Sequence, residues 1–358
     1  MALLKVENVA IRGISACVPP DVEENMQIDL YTPEEAAQIV KSTGIERRHI
    51  AAEGVTSSDL CGKAAEKLIA SLGWDKDSID AIGYFTQTPD FLNHPSVFEV
   101  HKYLGMSEDC ACYDFYHGCP GWVLSLSAMG RMMGGETGHY KRVLLIGGDA
   151  VSRREYRSYR EERPLFGDCG TATALEFDEK AAKVYFDIGT RSSDGESLIR
   201  PNGGERHPYT IESLQHELDL REGKISPDET GEAMDGMSVF SFGISVPPKS
   251  IKRLSEFSGV SLEDVDEFVF HQANLFMLNK IAKKLKIDNS KMPTSLKEYG
   301  NTTSASIPLT IVSQCGSLYR DTKVKTMACA FGTGLSWGSI YFETEKIIIP
   351  EVITYDKL

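Results

Sequence analysis

The chain has 358 residues, 41% hydrophobic and 25% charged, with a formal net charge of −14. That length supports a large core or two packed domains, and the composition is that of a soluble globular protein. The acidic balance excludes non-specific nucleic-acid binding, and no apolar run is long enough to insert into a membrane.

Glu7 brings an acid too early for a secretory signal, so we expect a cytoplasmic protein with reduced thiols at its eight cysteines. Cys110 and Cys112 are separated by one residue and lack a matching His/Cys pair, so no metal site is expected there. A helical stretch over 60–72 precedes a short apolar strand over 81–86. Next comes Tyr116-His117-Gly118-Cys119-Pro120-Gly121-Trp122, which leads from a strand-like entry into a helix over 123–133. Proline suits the first helical position, which puts Cys119 where free backbone N–H groups and the helix dipole favour an anion. We expect the Cys119 thiol to ionise about 1–2 pKa units below a free cysteine and to act as a nucleophile.

A buried strand over 142–148 ends in two glycines, and another strand covers 171–177. Arg153, Arg154, Arg157, Arg160 and Arg163 form a basic run that either grips a phosphate or pairs with Glu155, Glu161 and Glu162. Residues 191–236 turn polar and read as long surface loops. Pro247-Pro248 is expected to end one helix near Val246 and start another. A strand over 267–271 ends at His271, the kind of position where α/β folds place ligand-binding groups. A helix over 275–285 follows. Asn301 precedes a helix over 305–318, a strand over 326–331, and the glycine-rich 332–338. This order echoes the run from Cys119 to Gly148, as if one α/β unit were used twice. The strands separated by helices predict a layered α/β fold.

Singly, Asn301 reads as a helix cap and His271 as a structural histidine. Together, a pre-helix cysteine, a strand-end histidine and a Gly-Asn turn point to a Cys-His-Asn site. His-Gln-Ala-Asn at 271–274, Gly-Asn-Thr-Thr-Ser-Ala-Ser at 300–306 and Phe-Gly-Thr-Gly-Leu-Ser-Trp-Gly-Ser at 331–339 closely resemble β-ketoacyl-acyl-carrier-protein synthase III, of the thiolase fold superfamily. The likeness extends to Thr-Gly-Ile-Glu-Arg-Arg-His-Ile at 43–50 and Phe166-Gly167-Asp168.

The resemblance implies two similar halves, 1–178 carrying Cys119 and 179–358 carrying His271 and Asn301, stacked as α-β-α-β-α with five-stranded mixed sheets. It implies a homodimer without a cofactor, acting on thioesters of coenzyme A or acyl carrier protein. Cys119 would take an acyl primer. His271 and Asn301 would stabilise the enolate formed when a malonyl thioester loses CO2, and that carbanion would attack the acyl-cysteine. The backbone N–H groups of Cys119 and Thr333, flanked by Gly332 and Gly334, would form the acyl-transfer oxyanion hole. Asn274 and Phe331 are expected against the substrate.

Phe276 stands where the family has a carrier-docking arginine, and Lys280, Lys283 and Lys284 follow it as the expected docking surface for an acidic carrier. Residues 38–42 lack the aromatic residue that clasps the coenzyme A adenine in family members. The alternatives are a thiolase-fold acyltransferase passing the acyl group to an alcohol or amine, a Cys-His-Asn hydrolase, and a non-catalytic partner subunit.

Overall fold

A computed structural model describes residues 2–134, 140–153, 159–225 and 234–356. The strands are β1 (Ala2–Val6), β2 (Val9–Val18), β3 (Asp21–Glu24), β4 (Arg47–Ile50), β5 (Ala81–Thr86), β6 (Ala111–Tyr116), β7 (Arg142–Asp149), β8 (Cys169–Phe177), β9 (Val184–Thr190), β10 (Glu267–Phe270), β11 (Lys323–Gly332), β12 (Ser336–Glu345) and β13 (Ile353–Thr354). The helices are α1 (Pro33–Thr43), α2 (Ser57–Leu72), α3 (Ser96–Leu104), α4 (Gly121–Gly134), α5 (Ile211–Arg221), α6 (Gly236–Ser258), α7 (Leu275–Leu285), α8 (Leu296–Tyr299) and α9 (Ser306–Asp321).

Two mixed sheets result. One runs β1-β9-β12-β11-β10, the other β13-β2-β8-β7-β5-β6. Within them, β2-β8-β7-β5 and β9-β12-β11-β10 have the same succession of antiparallel, antiparallel and parallel pairings. The internal echo is therefore a repeated topology. Two-residue β13 makes the second sheet six-stranded rather than five-stranded, and β1 joins the sheet of the later repeat.

Packing arranges these sheets in five layers. Trp122, Val123, Leu126 and Met129 of α4 and Ile307, Leu309 and Ile311 of α9 share one core with inner-face residues of both sheets, such as Val143 and Ile340. α2 and α3 cover one outer face through Leu60, Leu68 and Val100. α6 and α7 cover the other through Phe242, Val246, Leu278 and Ile281. Strands sandwiched on both faces must be apolar throughout, which is why β7 reads as an uninterrupted run.

Two expectations need correction. Residues 191–236 are not loop alone, since α5 forms there, entered by a Thr210–Ser213 capping box. Pro247-Pro248 does not divide a helix either, because α6 runs through both. An interior proline leaves the carbonyl four residues earlier without its usual N–H donor. For Pro248 that carbonyl belongs to Ile244, and the Lys284 ammonium on α7 donates to it at 3.0 Å. Burial of Phe242, Val246, Ile251 and Leu254 on either side holds the helix in one piece.

Replacing Lys284 with Met should therefore cost about 1 kcal/mol in urea unfolding, while Lys283→Met should lie within about 0.5 kcal/mol of wild type. In a Pro248→Ala background the backbone donor is restored, and the Lys284→Met penalty should disappear. An unchanged penalty in that background would rule out this account.

Candidate active site

Cys119 lies at the mouth of α4, whose first turn is closed by Gly121 N–H to the Gly118 carbonyl (2.8 Å) and Leu124 N–H to the Pro120 carbonyl (3.0 Å). Trp122, fully buried, donates from Nε1 to Thr173 Oγ1 at 3.0 Å and pins this end of α4 to β8. His271 follows β10 and hands its backbone N–H to the Cys329 carbonyl (2.9 Å). Asn301 sits in the turn before α9. Its N–H reaches the Leu165 carbonyl (2.8 Å), and its own carbonyl accepts from Gly167 (3.1 Å). This ties the turn to the Phe166-Gly167-Asp168 segment.

A short chain of contacts joins the three. The Phe331 ring stands edge-on to the His271 imidazole, with centroids 5.4 Å apart. The next residue, Gly332, lies so close to Cys119 that a Cβ there would meet its Sγ at 2.9 Å. His271 Nδ1 lies 2.8 Å from Ser306 Oγ, and Asn301 Oδ1 accepts from Thr303 N–H at 2.9 Å. With Oδ1 engaged, the Asn301 amide has its Nδ2 hydrogens to offer. Gly334 has φ +131°, a conformation that favours glycine.

The electrostatics correct one expectation. Burial pushes the Cys119 thiol up to about 12, and the negative charge of Asp149 acts in the same direction. Only the residue's own backbone N–H pulls it down. The partial charge of a helix terminus is too small to offset full desolvation together with a buried carboxylate. Cys119 therefore rests as a thiol. Burial also lowers His271 to about 4, so its imidazole is neutral.

Asp149, Thr303 and Ser306 were not singled out from sequence. The one available signal was an acid ending the apolar run of β7. Asp149 is fully buried. Its Oδ1 accepts from Thr86 Oγ1, Gln87 N–H and Thr88 Oγ1 (2.9, 2.8 and 3.3 Å). Its Oδ2 accepts from Thr303 Oγ1 (2.5 Å) and from Ser304 through both backbone N–H and Oγ (3.3 and 2.5 Å). Asp168 is a second buried acid, raised to about 6 by desolvation although Ala51 and Ser152 donate to it.

Asn274 caps α7 by accepting from Met277 N–H (2.9 Å). Phe276 is half exposed and stacks on Phe240. Lys280 lies over the Phe276 ring (5.0 Å), Lys283 is exposed in the last turn of α7, and Lys284 is tied to Ile244 as described. Of the basic run, Arg154 and Arg157 fall outside the described residues, as does Glu155. Arg160 pairs with Glu35 (2.9 Å) and stacks on Tyr31 (4.8 Å). Arg163 pairs with Glu23 (2.7 Å). An aromatic–arginine pair is thus present, supplied by Tyr31 from outside 38–42. It lines a cavity of about 640 Å³ with Gln38, Thr43 and Leu165. Leu165 is the residue whose carbonyl holds Asn301.

Iodoacetamide labelling of Cys119, read by peptide mass mapping, should keep rising about tenfold per pH unit between about pH 7 and pH 10. A plateau below about pH 8 would mean that burial and Asp149 do not control the thiol.

Family models for 3-oxoacyl-(acyl-carrier-protein) synthase III match residues 113–192, and the C-terminal model of the same name matches 256–344. A putative 3-oxoacyl-(acyl-carrier-protein) synthase 3 of Campylobacter jejuni is 28% identical over 357 residues, covering 98% of this chain and 96% of the relative. A β-ketoacyl-(acyl-carrier-protein) synthase III of Streptococcus agalactiae is 31% identical over 332 residues, covering 92% and 97%. Among solved structures, a 3-oxoacyl-(acyl-carrier-protein) synthase from Burkholderia xenovorans superposes with a TM-score of 0.90 at 34% identity, covering 99% of each chain. These matches span both repeats and the contacts that join Cys119, His271 and Asn301, and the chain belongs to the 3-oxoacyl-(acyl-carrier-protein) synthase III family.

Proposed function

We propose that the protein is a condensing enzyme that loads an acyl group onto Cys119 and extends it with a malonyl thioester, releasing CO2 and a 3-oxoacyl thioester. The observation that carries this reading is the pairing of a buried cysteine at a helix mouth with two neutral donors, His271 and Asn301, on the other repeat. Neutral donors suit an enolate oxyanion, since they stabilise charge without adding a competing base. A Ser306 hydroxyl donating to Nδ1 leaves the imidazole proton on Nε2 for that purpose.

In the loading step the Cys119 sulfur attacks the primer thioester. The carbonyl oxygen is received by the N–H groups of Cys119 and Thr333, the carrier thiol leaves, and the cysteine proton departs with it. In the second step the malonyl thioester loses CO2. Its enolate oxygen takes hydrogen bonds from His271 Nε2 and Asn301 Nδ2, and the carbanion displaces Cys119 from the acyl carbon as a thiolate, which takes a proton from solvent to restore the thiol. Phe331, set against the His271 ring, is proposed to contact the substrate, and so is Asn274, which caps α7. The cavity next to Leu165 is a fitting berth for the arm bearing the thioester, whether coenzyme A or acyl carrier protein. A second copy of the chain would pair along β6, the outermost strand of its sheet, beside the exposed Phe91, Leu92 and Tyr116. Among the described residues no helix is long and apolar enough to cross a membrane.

Intact-mass analysis after exposure to acyl thioesters should show one acyl adduct, absent in Cys119→Ala. Persistence of the adduct on another cysteine would sink the assignment. His271→Ala and Asn301→Ala should each lower the condensation rate by about 10²–10³ while affecting adduct formation less. If Asn301→Ala condensed at the native rate, the division of labour would be wrong.

Carrier docking is expected at Phe276 with Lys280 and Lys283, where charge steering fades over a Debye length of about 8 Å. Lys280→Glu with Lys283→Glu, leaving Lys284 on its carbonyl, should raise KM for a carrier-protein substrate at low salt and spare a small thioester. Equal kinetics at low and high salt would move the docking surface elsewhere.

A further inference from the structure

His271 is the first residue past β10, so the aim of its imidazole depends on how the backbone there is held. Its neighbour Gln272 is buried and spends its carboxamide on that backbone. Nε2 donates to the Phe270 carbonyl at 2.7 Å, bridging over His271, and Oε1 accepts from Ser295 N–H at 3.1 Å. A second tie leads from Ser295 to α9. Ser295 Oγ lies 2.8 Å from Thr310 Oγ1, and Thr310 Oγ1 lies 2.7 Å from the Ser306 carbonyl. A carbonyl only accepts, so Thr310 gives its one hydroxyl proton to Ser306 and receives that of Ser295. Ser306 in turn presents Oγ to His271 Nδ1 at 2.8 Å. The circuit closes on the imidazole beside which it began, and Ser295, Thr310 and Ser306 are all buried with Gln272.

We propose that Gln272 is a positioning residue for the condensation step. It holds the backbone at His271 and, through Ser295 and Thr310, the first turn of α9, so that the imidazole and the Ser306 hydroxyl stay aligned while the malonyl enolate forms. This rests on the reading of His271 as an enolate donor. A carboxamide suits the task because it donates and accepts at once. Losing it from a buried site takes a partner from the Phe270 carbonyl and from the Ser295 N–H, and leaving such groups unmatched is costly enough to move the chain around them. A displacement of about 1 Å at a reacting group is enough to cost roughly a hundredfold in rate. Every member of the circuit belongs to the second repeat, whereas the acyl group is loaded on Cys119 of the first with backbone donors. Condensation should feel the loss of Gln272, and loading should not.

The test measures two rates on each variant: CO2 release from malonyl-pantetheine, and acylation of Cys119 by butyryl-pantetheine followed by intact mass. Gln272→Met, close to glutamine in length but without its amide, should lower kcat for CO2 release by about tenfold to a hundredfold and leave acylation within about threefold of wild type. Thr310→Val and Thr310→Ser break and keep the circuit at a second point, and they serve if the methionine variant folds poorly. The valine variant keeps the volume and loses the hydroxyl, so CO2 release should fall, whereas the serine variant keeps the hydroxyl and should restore most of it. If packing alone mattered, serine would be the worse of the two. A ratio of CO2 release to acylation that stays at the wild-type value in Gln272→Met and Thr310→Val, or that is lower in Thr310→Ser than in Thr310→Val, overturns the role of Gln272 alone. Native CO2 release by His271→Ala overturns the enolate reading beneath it, and the proposal falls with that reading.

Discussion

A carboxylate buried at the seam between the two repeats organises the site. Asp149 ends β7, and taking its charge out of water is costly unless donors replace the lost hydration. The six hydrogen bonds it accepts come from the turn after β5 on one repeat and from Thr303 and Ser304 on the other. The second of those segments also receives Asn301, and Ser306 just beyond it faces His271. The same carboxylate holds Thr303 at φ +48°, a conformation rare for a β-branched residue. That turn orients Asn301, whose Oδ1 takes the Thr303 N–H. The cost of Asp149 appears at Cys119, because its negative charge joins burial in keeping the thiol protonated. The arrangement trades resting reactivity of the thiol for fixed geometry of the donors.

Duplication explains why such a seam exists. Each repeat sends a helix, α4 or α9, into the central layer, and the loops at the mouths of these helices carry Cys119 and Asn301. Neither repeat holds the whole site. Cys119 comes from the first, while the imidazole, the amide and the Phe331-to-Gly334 loop come from the second. Only the packing of both sheets on α4 and α9 brings them within reach. That requires glycines where backbones meet side chains, at 332 against Cys119 and at 118 against Gln87.

Much of this was legible in the residues. The helix at Leu275–Leu285 and the strand at Ala81–Thr86 were read with their boundaries intact, because apolar spacing and cap residues are local signals. The Cys, His and Asn motifs carry specific spacing, and the family was legible from them. Less legible was α5, whose polar composition hid a helix entered through a Thr-Ser capping box. The proline pair in α6 misled because the compensating donor, Lys284, stands on another helix. Asp149 lies just past the strand read over 142–148, and nothing local marks its donors, 61 to 155 residues away.

The sequence by itself determined the layered α/β class, the repeated order of elements, and the motifs that carry the family likeness. These rest on local periodicity and on chemistry that particular side chains possess wherever they stand. The tertiary structure alone decided the charge state of Cys119 and of His271, the orientation of the Asn301 amide, the use of Lys284 as a helix partner, and the donors gathered around Asp149. Each depends on desolvation or on a hydrogen bond between segments far apart in the chain, and no local pattern of residues encodes either.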